Sequence, residues 1–161
     1  MPEQSHDRTS RTCAVEDLDS RLRTAIATVA ETELLGDAAA TAVACVETRS
    51  VPRRRTGVFA RLLGGGPAQE TLTAAVLLPG HLLVSVADLS TGRTTALSGR
   101  LADMTVTEVD QRLAVDSGVS VLTRWSNRPE AESMHVALGA DPAGVAFKDM
   151  LRHAVRSAKA S

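Results

Sequence analysis

The stretch Thr71–Asp88, TLTAAVLLPGHLLVSVAD, decides the architecture. Two runs rich in Leu, Val and Thr, 71–78 and 81–88, flank Pro79-Gly80, a dipeptide that turns the chain tightly. Each run is too short for an ordinary helix and carries β-branched residues, so the pair predicts an antiparallel hairpin. In the second run, alternation puts Leu82, Val84 and Val86 on one face.

Outward from this hairpin the same period of two continues. Ala39–Arg49 reads as a strand before it, and Arg93–Ser98, Met104–Val109, Val119–Arg124 and Ser133–Leu138 read as strands after it. The last is the clearest, with Met134, Val136 and Leu138 on one face and Ser133, His135 and Ala137 on the other. Asp141-Pro142 then opens a helix, because the carboxylate can cap free amides and proline at the first position forfeits no hydrogen bond. Phe147, Met150, Leu151, Ala154, Val155 and Ala158 form its apolar stripe.

The N-terminal part differs. Residues 1–12 are polar and aperiodic, which predicts a disordered tail. Over 13–36, Val15, Leu18, Leu22, Ala25, Ile26 and Val29 recur at three and four, predicting an amphipathic helix stopped by Gly36. Residues 37–161 are then the β domain, interrupted by a long loop at 50–70. About seven antiparallel strands joined mainly by short turns, with a C-terminal capping helix and an extra N-terminal helix, predict a mainly β fold. Such a meander curls into a sandwich or partly open barrel.

Composition narrows the function. A chain of 161 residues with 43% hydrophobic residues suits one soluble domain, and a net charge of −1 provides no general attraction for nucleic acid. Phe59, Trp125 and Phe147 are the only aromatic rings, too few for base-stacking or sugar-binding platforms. Cys13 and Cys45 lie outside any CxxC motif, which suggests a reducing, cytoplasmic setting. The start lacks an apolar signal core, and no run of apolar residues reaches membrane-spanning length.

The segment from about Ala39 to Ala158 includes TLTAAVLLPGHLLVSVADLS, a TGR turn, LADMTVTEV and LGADPAGVAFKDMLRHAV, and it resembles a bacterial pleckstrin-homology-like (PH-like) domain. The resemblance implies a helix-capped β-sandwich. It also implies that basic residues on the first two strands and in their connecting loop hold phosphorylated headgroups. This chain departs from the family pattern in its helix, which carries Phe147 where the family often has Trp, and in strand two, where Thr71, Thr73 and Ala75 supply no basic residue.

The strongest candidate site is Arg49, Arg53, Arg54, Arg55 and Arg61, since no acidic residue lies between Glu47 and Glu70. Guanidinium forks bind phosphate oxygens bidentately and are drawn to acidic leaflets. Phe59, Leu62 and Leu63 are placed to insert at such an interface. The expected function is therefore a noncatalytic binding module at an anionic lipid or acidic protein surface, peripheral to the inner face of the membrane. A second reading is protein interaction or self-association through the seam Val15, Leu18, Leu22, Ala25 and Val29. A third is a small-ligand carrier or enzyme on a curved sheet using Glu108, Asp110 or His135. Trp125 with Arg124 and Arg128 is a candidate surface anchor, and equally a half-buried cover over one end of the sheet. His6, His81, His135 and His153 lack ligand spacing, so no metal and no cofactor is expected.

Overall fold

The computed structural model describes residues 6–53, 69–108 and 117–161. Five strands, β1 (His6–Thr12), β2 (Ala44–Pro52), β3 (Thr71–Leu78), β4 (His81–Asp88) and β5 (Thr94–Arg100), form one antiparallel sheet in chain order. A second sheet holds β6 (Thr105–Glu108), β7 (Gly118–Thr123) and β8 (Glu132–Ala137), also antiparallel and in order. Helix α1 (Ser20–Thr32) and the short α2 (Ala38–Thr41) lie between β1 and β2, and α3 (Pro142–Ala160) closes the chain. The protein is thus mainly β, with two open sheets and a C-terminal helix.

The five-stranded sheet is covered on both faces, which explains why six successive residues of β3 are buried without alternating. On one face Cys45, Ala74, Val76, Leu78, Leu83 and Ala87 pack under Leu22, Ile26, Val29 and Ala30 of α1. On the other, Val46, Ala75, Leu77, Leu82 and Val84 meet the second sheet, Trp125, and Phe147, Leu151 and Val155 of α3. The hairpin register follows the Pro79-Gly80 turn, pairing Leu78 with His81 and Thr71 with Asp88. Gly80, at φ 129°, holds a conformation that other residues rarely adopt.

Three expectations are corrected. The stretch read as a disordered tail forms β1 from His6 onward, paired with β2 from His6–Pro52 to Thr12–Val46. Only Ser10 of this strand is buried, so it is held by polar groups and not by apolar burial. The Ser10 amide donates to Asp141 Oδ2 at 2.8 Å, its hydroxyl lies 2.6 Å from Thr48 Oγ1, and the Gly139 amide donates to the same hydroxyl at 2.8 Å. The helix expected over 13–36 is confined to Ser20–Thr32, preceded by a single 3-10 turn at Val15–Asp17. The strand expected from Ala39 starts only at Ala44, because Asp37 caps the run 38–41 into a helical turn by accepting from the Ala39 and Ala40 amides.

Asp141 also caps α3, accepting from the Gly144 amide at 3.0 Å while holding Ser10 through its other oxygen. The first turn of α3 approaches the 139 backbone so closely that a Cβ on Gly144 would lie 2.0 Å from the Gly139 carbonyl oxygen. One carboxylate therefore joins the first strand to the last helix.

Candidate functional site

Of the arginine cluster, Arg49 and Arg53 fall on described backbone and Arg54, Arg55 and Arg61 lie outside the described residues, as do Phe59, Leu62 and Leu63. Arg49, on β2, pairs with Glu70 at the entry to β3. Arg53, just past β2, donates from Nε to Asp7 Oδ1 of β1 at 2.7 Å. Both side chains are largely solvent-facing, so each pair adds little stability but offsets one positive charge at the base of the 50–70 segment.

The other candidates disperse. Glu108 at the end of β6 is solvent-exposed and salt-bridged to Arg152, at 2.7 Å, and Lys148 of α3, and these cations hold its carboxyl below the usual range. Asp110 lies outside the described residues. His135 on β8 meets Arg8 Nη1 at 2.7 Å, and Arg8 also donates to the Ser117 carbonyl and to Ser50 Oγ, a polar seam between β1 and the second sheet. Trp125 is no surface anchor. It is 2% exposed and donates its indole N–H to the Glu132 carbonyl at 3.1 Å, so its ring belongs to the core between the sheets. The seam Leu18, Leu22 and Val29 is buried against the chain's own sheet, leaving only the outer face of α1 for a partner. No described helix is long and apolar enough to cross a membrane. Among the described residues no cluster of His, Cys, Asp and Glu has the arrangement of a metal site.

Two features escaped the sequence reading. The first is a groove of about 730 Å³ between α1 and the β5 edge of the five-stranded sheet. Its lining includes Thr24, Thr28 and Thr32 of α1, Ala96 of β5, and Ser126 and Asn127. Its chemistry follows from strand parity. The Ser98 amide donates to Ser126 Oγ and its carbonyl accepts from the Ser126 amide, so residue 98 points its peptide groups away from β4. The Arg93 carbonyl accepts from Asp88, so residue 93 points the other way. By alternation Thr94 and Ala96, which both line the groove, turn their N–H and C=O groups away from β4, and no described strand pairs with that edge. Such a row is a template for a further strand.

The second feature is a pair of thiols. Cys13, one residue past β1, and Cys45, on β2, lie 3.9 Å apart at sulfur, and the Cys13 amide donates to the Cys45 carbonyl. Both are reduced, Cys45 buried and Cys13 partly so. Burial raises both thiol pKa values, and the neighbouring Cys13 adds to the effect at Cys45.

No protein-family model matches the chain, and no curated protein and no solved structure matches it.

Proposed function

We propose that the chain is a noncatalytic binding module that takes an extended peptide segment into the groove between α1 and β5. The observation that carries this reading is the outward-facing backbone of Thr94 and Ala96, which offers donors and acceptors to a strand beside the threonines of α1 that line the groove. Small side chains at Ala25 and Ala96 leave room for the side chains of such a peptide. A PH-like fold for β2–β8 and α3 accompanies the proposal: without β1 the strands divide four and three, and a helix closes the chain. The test is selection from a phage-displayed library of random peptides on the wild-type protein and on Thr28→Trp, whose ring would fill the groove from an exposed position. Peptides that bind wild type and lose at least about tenfold in affinity on the variant, about 1.4 kcal/mol, support the reading. Peptides bound equally by both overturn it.

A second reading keeps the anionic surface. It rests on the segment between Glu47 and Glu70, whose five arginines outnumber the two carboxylates, Glu70 and Asp7, that pair with Arg49 and Arg53. Flotation with phosphatidylserine vesicles that is lost at high salt, and lost when Arg53, Arg54 and Arg55 are replaced by Ser, would favour it. Equal flotation with phosphatidylcholine vesicles would refute it.

A further inference from the structure

We propose that Cys13 and Cys45 are a modification site: a reversible cross-strand disulfide that closes the α1–α2 excursion onto the sheet when the protein meets an oxidising small-molecule disulfide.

The geometry places the two thiols opposite one another at the end of a strand pair, 3.9 Å apart at sulfur. The register of β1 with β2 runs through Thr12–Val46, so Cys13 and Cys45 are the next directly opposed pair. The bond from the Cys13 amide to the Cys45 carbonyl makes it a hydrogen-bonded position, where Cα atoms sit about 5.5 Å apart, within the range that disulfides span. Both side chains point to the same face of the sheet, under α1. Their sulfurs must close by about 1.9 Å from 3.9 Å, which takes a change of side-chain torsion together with a small inward shift of the Cys13 backbone, allowed because Cys13 lies just past the end of β1. The charged groups facing the pair are Arg11, which favours a thiolate, and Glu47 and Asp17, which oppose it.

The order of reaction follows from exposure. The Cys13 thiolate, the more accessible, attacks one sulfur of glutathione disulfide, forming a mixed disulfide and releasing one glutathione thiolate. The Cys45 thiolate then attacks the Cys13 sulfur and displaces the second glutathione. Two protein thiols are oxidised and one glutathione disulfide is reduced to two thiols, the two protons lost by the cysteines being taken up through solvent by the two released glutathione thiolates, with no net proton released. Because burial disfavours both thiolates, exchange is slow at neutral pH and accelerates as pH rises.

The consequence is local. The bridge joins residues 32 apart in sequence, and the chain between them contains both α1 and α2, so oxidation ties off the helical layer at its base without touching the second sheet.

The test is to incubate the full chain, natively folded, with excess glutathione disulfide, then titrate free thiols and measure intact mass without reductant. The expected result is a fall from two thiols to none, no retained glutathione, a monomeric species on non-reducing gels, and a higher Tm that dithiothreitol reverses. Cys45→Ala should stop at the mixed disulfide, retaining one glutathione on Cys13. Two thiols still titratable, a stable doubly glutathionylated protein, or an intermolecular disulfide would each overturn the proposal.

Discussion

The two faces of the five-stranded sheet are built from different materials. Toward the second sheet and α3 the layer holds Trp125, Phe147 and Met104, all buried, with Leu and Val around them. Toward α1 the described residues include no aromatic, and Cys45, Ala74, Ala87, Ala30 and Ala38 stand among the Leu, Ile and Val side chains. Large rings bury more area per residue, whereas small residues let a helix lie close but contribute less apiece. The groove and the thiol pair both lie on the lighter face. The heavy face holds the fold, and the light face leaves concavity and reactive groups within reach of solvent.

This contrast can be tested by substitution, beginning with the largest effect. Trp125→Ala, which removes a buried ring and its indole bond to Glu132, is expected to cost about 3–5 kcal/mol in urea unfolding. Leu22→Ala on the other face, although Leu22 is fully buried, is expected to cost about 3 kcal/mol. Its signature should also differ: hydrogen exchange should accelerate in α1 while amides of β7 and β8 keep their protection. Equal losses with uniform exchange would show that the two layers unfold as one unit and would remove the distinction.

Asp141→Ala tests the polar staple that holds β1 beside both layers. It deletes a helix cap and the partner of the Ser10 amide, and should cost about 1–2 kcal/mol, with exchange rising first at Ser10 and in the first turn of α3. Unchanged protection of Ser10 would show that β1 is held by its pairing with β2 alone.

The smallest effect is a dependence on pH. Partial burial, then the nearby Arg100 guanidinium, holds His81 below its usual value of 6.5. As pH falls through 6.5 the unfolded chain therefore takes up the proton before the native one does, and stability drops until the native group also titrates. His81→Gln should flatten this slope on the acid side of pH 6.5, and parallel stability curves for the two proteins would refute it.

The hairpin is readable because β3 and β4 are short runs rich in Leu, Val and Thr separated by a turn dipeptide, a signal that needs no distant partner. The C-terminal helix was readable from Asp141-Pro142 and its stripe. Strand β1 was hidden because its sequence, HDRTSRT, buries a single serine, and what fixes it comes from Thr48, Gly139 and Asp141, far along the chain. Trp125, between strands among Arg124, Ser126 and Asn127, reads equally as a surface anchor or as a half-buried cover over one end of the sheet, and its burial is fixed only by the packing of the two sheets around it. The groove could not be read at all. It depends on which strand ends the sheet and which parity of β5 faces outward, and both are properties of assembly. The cysteines, 32 positions apart, become neighbours only once β1 is a strand.

The placement of Trp125 makes the molecule its own optical gauge. With one tryptophan and no tyrosine in 161 residues, near-ultraviolet absorption and intrinsic emission above 300 nm report a single indole. That indole is sealed between the sheets, so the emission of the folded chain should be blue and should shift red only when the heavy layer parts. Events confined to α1 or the thiols should pass unseen by fluorescence while remaining visible to far-ultraviolet dichroism, whereas occupation of the groove, whose lining includes Ser126 next to the indole, should register in both signals.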